Sequence, residues 1–311
     1  MESLQNIKRR LKSAQNIGTI TKAMELVEVT KMRKSQEYAL NSRAFSYTAL
    51  GILGIISKIK DISMPPILTK RPINKIVFLL ITSDKGLAGS FNSAVIREFE
   101  SFVRKGKIDL SDKNYSFVAV GQKAITYCER RNYDLIKSFH HLGDSVSIKE
   151  VNPISEFLID GYIEKQFDQV ISFSTHFVSA LKQDPIKRQL FPITFEKVKD
   201  SIDETIPKAG KYSHYMDIES FSGDFHKEYL IEPSPKYVLK KLATDLLKIR
   251  LYHLILEANA SEHSARRVAM KNASENAEDL SDKLSIVYNK SRQASITNSI
   301  IEVVSGASTS T

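Results

Sequence analysis

EANASEHSARRVAMKNASENAEDL, residues 257–280, decides how this chain is built. The stretch has neither Gly nor Pro, so nothing in it interrupts a helix. Most of its apolar positions are Ala, and small polar Ser and Asn separate them. Burying a large side chain contributes about 1.5–3 kcal/mol, and a helix with so few of them cannot hold a globular core together. It reads instead as a slender helix that another helix can approach closely.

Working outward, residues 236–305 contain no Gly and no Pro, and all nine prolines lie between Pro65 and Pro235. At 1.5 Å per residue, such a helix would run roughly 105 Å, more than a compact domain can enclose. Apolar and small residues alternate three and four apart along it. One run is Leu239, Leu242, Leu246, Ile249, His253, Leu256 and Ala260; a later one is Leu280, Leu284, Val287, Ser291, Ala294, Asn298 and Ile301. This is the spacing of a coiled-coil seam. The first sixty residues repeat the habit with Leu4, Ile7, Leu11 and Ala14, then Ile17, Ile20, Met24 and Val27, and after a basic interruption Phe45, Thr48, Ile52, Ile55 and Ile59. Two long terminal helices with one seam each can pair, and the chain between them reverses direction, which makes the pair antiparallel.

The middle has another rhythm. NKIVFLLITSD (74–84), YSFVAVG (115–121) and FDQVISFSTH (167–176) read as buried strands, with helical stretches at 92–106, 121–132 and 153–166. Strands alternating with helices predict a Rossmann-like, doubly wound parallel sheet. RQLFPITFEKV (188–198) adds a candidate edge strand, since Pro192 suits an edge better than a centre. The expected fold class is therefore α/β: a long antiparallel coiled coil of the N- and C-terminal helices plus a central Rossmann-like doubly wound domain. The expected segments are a coiled-coil helix over 1–62, the α/β domain over 73–200, an irregular connection over 201–231 and a coiled-coil helix over 233–305. Ser234 is placed to cap that last helix, with Pro235 in its first turn.

The net charge of +9 is unevenly spread. Residues 1–60 carry +7, residues 236–311 carry +3 and the middle carries −1. Basic ends suit nucleic acid, a membrane surface or an acidic protein partner. No run of about 18 apolar residues suggests a transmembrane helix. The basic start lacks an apolar segment after it, so no secretory signal is expected, and helical patterning from near Met1 leaves no room for a transit peptide. The single cysteine, Cys128, has no metal-ligand spacing around it and reads as a core thiol in a reducing compartment.

Few motifs carry chemistry. TSDKGLAGSFN (82–92) joins the first strand to a helix but matches neither GxxxxGK[ST] nor GxGxxG, and reads as a tight turn that uses Gly86 and Gly89 for backbone conformation. His140 and His141, if on a strand, point to opposite faces and do not share a metal. His253 and His263 fall on or near the last seam as interhelical histidines. KMRK (31–34) is either a solvated face or a cationic band toward a partner, and Glu275, Glu278, Asp279 and Asp282 make an acidic patch on the last helix. No catalytic constellation can be assembled, and no cofactor is expected.

Several segments resemble the γ-subunit family of F-type ATP synthases. ITKAMELVEVTKMRKSQ (20–36) is similar to its N-terminal signature; ASEHSARRVAMKNASENAEDL (260–280) with VYNKSRQASITNSIIEVVSGA (287–307) is similar to its C-terminal one; TSDKGLAGSFN and LIEPSPKYVL (230–239) are similar to internal landmarks. The resemblance runs from end to end, while 134–152 and 199–227 carry no landmark. Ala88, Ser90 and Arg267 depart from the family's usual residues. The resemblance implies a central rotor stalk whose coiled coil enters a ring of ATP synthase α and β subunits. Its middle domain would contact the ε subunit and the membrane c-ring, with catalysis left to the β subunits. It implies a peripheral place at the cytoplasmic face of the bacterial cell membrane. Carried over by position, Arg292, Gln293 and Thr297 would touch a β-subunit loop. Met24, Lys31, Arg33 and Lys34, and the turn Lys85–Gly86–Leu87, would lie near acidic β-subunit loops.

Two other readings compete. A nucleotide-binding α/β enzyme with helical extensions would bind ATP or NAD through its middle domain. A nucleic-acid-binding coiled coil would use the basic ends, although no aromatic interleaving or reading motif accompanies them.

Overall fold

The computed structural model describes residues 3–41, 65–69, 71–143, 146–192 and 231–308. The expected seam Phe45–Ile59, the rest of the first helix to residue 62, residues 193–198 of the candidate edge strand and the connection over 201–230 lie outside the described residues. The chain divides into two compact units, one of Met1–Glu28 with Arg266–Thr311 and one of Val29–Ala265.

The larger unit holds the sheet. IVFLLI is buried on both faces, and so it becomes the central strand β1 (Ile76–Ile81). Around it lie β2 (Tyr115–Val120), β3 (Leu135–Phe139), β4 (Gln169–Phe177) and β5 (Gln183–Phe191), in the order β3-β2-β1-β4-β5. The first four strands are parallel, with Ile76 opposite both Tyr115 and Gln169. β5 runs antiparallel to β4 and closes one edge. The alternation of β1 sorts its side chains into two cores. Val77, Leu79 and Ile81 face helices α4 (Ile148–Ile163) and α5 (Pro235–Ser308), where Ile154, Leu158, Leu247, Leu251 and Ile255 cover them. Phe78 and Leu80 face α2 (Phe91–Gly106) and α3 (Gln122–Arg130). That second layer is aromatic: Phe78, Phe99, Phe117 and Phe173 meet with ring centroids 5.2–6.2 Å apart. Cys128 is fully buried there, and burial, with a smaller push from Glu129, raises its thiol to about 12.

Three local differences from the sequence reading have physical causes. α4 starts at Ile148, five residues before Pro153, because Glu150 Oε2 accepts from both the backbone N–H (2.6 Å) and the hydroxyl (2.8 Å) of Ser147. That capping outweighs the backbone bond lost at Pro153 inside the helix. β3 has no counterpart in the sequence reading, because a five-residue edge strand with an exposed middle leaves only Leu135 and Phe139 half-buried. β5 occupies 183–191 and so begins five residues before the candidate edge strand at 188, with Pro185 inside it and Pro192 after it, which an edge tolerates.

In the smaller unit, the first part of α1 (Leu4–Asn41) pairs antiparallel with the last part of α5. Ile7 and Ala14 pack on Leu284, flanked by Leu11 and Tyr288. Farther along, the Ser274 hydroxyl donates to the Gly18 carbonyl at 3.4 Å, and at the far end Arg266 Nη1 meets Glu28 Oε2 at 3.4 Å. Buried positions on α1 recur every seven residues at Ile7, Ala14, Thr21 and Glu28. The expected switch to Ile17, Ile20, Met24 and Val27 does not occur: Ile17, Ile20 and Val27 are exposed at 49, 59 and 50 %, and Met24 is half-buried. The seam keeps its phase because Gly18 and Thr21 let the backbones approach, and Glu25 and Glu28 fill the next two positions. On α5 the same correction applies. Leu280 and Val287 are exposed, while Ala277 and Leu284 are buried. Beyond Ser291 every described side chain of α5 is exposed.

Among the described residues no helix is long and apolar enough to cross a membrane. Two glycines predict opposite outcomes. A Cβ at Gly18 would stand 3.6 Å from Ala277 Cβ, an ordinary contact. Gly18→Ala should therefore raise stability by about 0.5–1 kcal/mol through helix propensity alone, read as a higher melting temperature by circular dichroism. Gly121 has φ +90°, and a Cβ there would sit 2.1 Å from the Thr82 carbonyl oxygen. Gly121→Ala should cost more than about 3 kcal/mol, read as a lower urea midpoint at unchanged slope.

Candidate partner-contact surfaces

The turn after β1 is locked from several sides. Ser83 and Asn92 bond to each other, with Ser83 N–H to Asn92 Oδ1 at 2.9 Å, and the Ser83 hydroxyl donates to the Lys85 carbonyl at 2.7 Å. Asp84 accepts the backbone N–H of Gln122 and that of His141, each at 2.9 Å. The result is a rigid knuckle with Lys85, Gly86 and Leu87 exposed at its tip. Leu87 is 67 % exposed, and at φ 61° it takes the left-handed conformation together with Gly89 at φ 56°. The expected role of Gly86 is thus filled by Leu87; a Cβ at Gly86 would meet nothing within 4 Å.

Beside this knuckle, His140 and His141 follow β3 instead of lying in it. His141 has φ 58°, and the two rings meet edge to face through their Nδ1 atoms, so they share one side rather than opposite faces. A crevice lined by His141 and Lys85 and by Asn259, Glu262 and His263 of α5 measures about 210 Å³. That is below the roughly 300–1,000 Å³ of ordinary ligand pockets. Among the described residues no three His, Cys, Asp or Glu form a group that could hold a metal ion.

The basic band on α1 is sorted by helical phase. Met32 turns inward onto Phe177 and Ala260, Ser35 is buried, and this leaves Arg33 and Lys34 exposed and Lys31 half-buried. On α5, Arg292, Gln293 and Thr297 are all exposed, and the Thr297 hydroxyl bonds back to the Gln293 carbonyl at 2.9 Å. Ile296, Ile300, Ile301, Val303 and Val304 are exposed in the same stretch, each by more than half. The ten expected contact residues therefore lie on three elements and all present surface, with Met24 and Lys31 the most covered.

Sequence reasoning missed the buried charges. Arg188 Nη1 of β5 contacts Glu257 Oε2 of α5 at 2.7 Å, and His176 Nδ1 of β4 contacts Glu257 Oε1 at 3.3 Å. Burial alone would raise the Glu257 carboxyl, but Arg188 and His176 outweigh it and hold it below the ordinary carboxylate value. The signal was visible, since Glu25, Glu28, Glu257 and Arg266 interrupt or adjoin apolar seams, where charge needs a partner.

With this geometry in hand, comparison with known proteins places the chain. The family model described as ATP synthase matches residues 3–309. ATP synthase gamma chains of Dehalococcoides mccartyi (strain CBDB1) and of Fusobacterium nucleatum subsp. nucleatum are each 34 % identical over 309 residues, covering 99 % of both chains. The chain belongs to the ATP synthase gamma chain family. Solved structures share its fold. A chain of the Euglena gracilis mitochondrial ATP synthase, in a structure of OSCP/F1/c-ring in rotational state 3, superposes with a TM-score of 0.61 at 14 % identity, covering 98 % of this chain and 93 % of that one. One from the Tetrahymena thermophila mitochondrial ATP synthase central stalk and c-ring gives 0.57 at 22 % identity, covering 82 % and 99 %. For this gamma-family chain, α/β with a long C-terminal helix is thus both the observed and the shared architecture.

Glu257 allows a test by pH. Its folded-state pKa is depressed, so its stabilising effect is present above the unfolded carboxyl value and is lost as pH falls through the folded value. Glu257→Ala should unfold about 3–5 kcal/mol more easily at pH 7, because Arg188 is left buried. The gap from the unaltered protein should narrow below about pH 4 in denaturant titrations.

Proposed function

We propose that the chain is the central rotor stalk of the F1 sector of an F-type ATP synthase. It couples ion-driven rotation of the c-ring to conformational cycling of the catalytic β subunits and carries no catalytic residues of its own. The observation that carries this reading is the antiparallel helix pair with a small-residue seam, from which α5 continues beyond Ser291 with every described side chain exposed. A shaft turning inside a ring of similar subunits must be slim and must not bind strongly at one angle. Gly18, Ala277 and Ser274 supply slimness. The large apolar side chains that do face outward, among them Ile17, Ile20, Leu280, Ile286 and Ile296, are spread along the helices, so rotation against similar subunits exchanges one such contact for another, each within the ~1.5–3 kcal/mol of a buried large residue. Torque then reaches the β subunits as a shift among their conformations, by linkage between rotor angle and site state.

The partners in this reading are the ATP synthase α and β subunits, the ε subunit and the c-ring, with the whole assembly peripheral at the cytoplasmic face of a bacterial membrane. Arg292, Gln293 and Thr297 are the proposed contacts to a β-subunit loop near the far end of the shaft. Met24, Lys31, Arg33 and Lys34 and the Lys85–Leu87 knuckle are the proposed contacts to acidic loops lower down. In this proposal the described parts of segments 1–62 and 233–305 belong to the shaft helices and those of 73–200 to the α/β base, with 201–231 as the connection. The full-length kinship to gamma chains supports this reading over a nucleotide-using enzyme or a nucleic-acid-binding coiled coil.

The purified chain should hydrolyse no ATP and should restore coupled ATPase when mixed with α and β subunits; a mixture that stays uncoupled refutes the proposal. Within that assembly, Arg292→Ala with Gln293→Ala should lower turnover while the melting temperature of the chain holds. Unchanged turnover would remove both residues from the contact set.

A further inference from the structure

The way α5 is held to the sheet is more specific than apolar packing requires. Ala243, Leu247, Leu251, Leu254, Ile255 and Ala258 of α5 bury against the sheet layer. That burial opposes large rotations of the helix, which would bring Leu247, Leu251 and Ile255 out of the core, but it is non-directional and fixes the angle less sharply than a hydrogen bond does. Three polar residues on the same helix do something else. Arg250 donates through Nη2 to the Gln189 carbonyl at 3.1 Å. Glu257 accepts Arg188 at 2.7 Å, with His176 at 3.3 Å on its other oxygen. Ser264 donates its hydroxyl to the Ala180 carbonyl at 2.6 Å and accepts from Gln183 Nε2 at 3.2 Å.

Positions 250, 257 and 264 are seven apart, so they form a single line along α5 that drifts by only about 20° per step. All their partners named here belong to the β4–β5 hairpin: His176 on β4, Ala180 in the turn, and Gln183, Arg188 and Gln189 on β5. The antiparallel edge strand thus runs as a rail along one line of the helix. A buried ion pair is a weak source of net stability, because desolvation offsets its attraction. Its strength is geometric, since a guanidinium–carboxylate contact fixes distance and angle together.

We propose that the β4–β5 hairpin is a torsional rail for α5, pinning the helix's azimuth at Arg250, Glu257 and Ser264 so that twist carried along α5 passes into the sheet without slip. The rail rests on the rotor reading and adds to it the residues that transmit torque within the subunit. It also gives the antiparallel edge strand a function that the parallel sheet alone does not explain. Arg250, Glu257 and Ser264 are positioning residues: they act on the angle of the helix, and no substrate touches them.

The test uses the assembled ATP synthase with a probe on the c-ring and the α/β ring fixed, and reads the angular spread of the probe with the ring held in one state. Glu257→Ala alone takes the carboxylate away from the buried Arg188 and is liable to unfold, so the deciding variant is Arg188→Met with Glu257→Met, combined with Arg250→Met and Ser264→Ala. Apolar replacement of a whole buried pair is commonly neutral or stabilising. The variant should keep its melting temperature and its ATP hydrolysis per complex, while the angular variance rises about twofold and ions pumped per ATP fall against a steep gradient, an effect of the size expected for local coupling residues. Variance and pumping ratio equal to the unaltered complex, at equal melting temperature, would overturn the rail. A complex of the unaltered chain whose probe never rotates would refute the rotor reading itself, which keeps the two failures apart.

Discussion

The constraint on which the smaller unit depends is the close approach of two helix backbones where side chains are nearly absent. At Gly18 a Cβ would have 3.6 Å to Ala277, and the Ser274 hydroxyl reaches the Gly18 carbonyl itself. Close approach excludes large side chains from that part of the seam, and with them most of the hydrophobic stabilisation a coiled coil ordinarily gains. What remains is concentrated toward one end, in Ile7, Leu11, Leu284 and Tyr288. The other end is closed by Glu28 and Arg266, both nearly fully buried. Such a pair contributes register more than stability: a shift by one residue would leave two charges buried without each other.

The larger unit answers the opposite demand. Its sheet is covered on both faces, one layer aliphatic and one aromatic, and α5 is part of the aliphatic cover. The same helix therefore serves two regimes along its 74 residues. Up to about residue 260 it is a core helix rich in Leu and Ile. Beyond Arg266 its buried positions among the described residues are Met270, Ala277 and Leu284, seven apart. The change in composition within one unbroken helix marks where its role changes.

Much of this was legible in the sequence. The breaker-free run after Pro235, the three central strands and the antiparallel pairing of the ends follow from Gly and Pro placement and from periodicity. The Ser234 hydroxyl accepts from the Tyr237 N–H at 3.3 Å, as a cap should. The phase of the seam was not legible. Ile17, Ile20 and Val27 are better hydrophobes than Gly18, Thr21 and Glu25, and a reading that ranks residues by hydrophobicity prefers the wrong stripe. The edge strands were shifted or missed for a related reason, since β3 buries too little to show a pattern and β5 carries a proline. As for surfaces, the resemblance supplied candidate contact residues, of which the fold leaves Met24 and Lys31 half-buried and the others exposed. The heptad of polar anchors at 250, 257 and 264 was hidden because its partners lie in a hairpin at least 61 positions away.

The buried thiol has a practical corollary. Cys128 sits fully enclosed among aromatic rings, with its proton held to about pH 12. Alkylating and maleimide reagents attack the thiolate, so the native fold shields its only sulfhydryl both sterically and chemically. A cysteine placed at an exposed position such as Leu87 or Arg292 would thus be the sole reactive handle on the molecule. Fluorophores, beads or crosslinkers could be attached there without first editing the core.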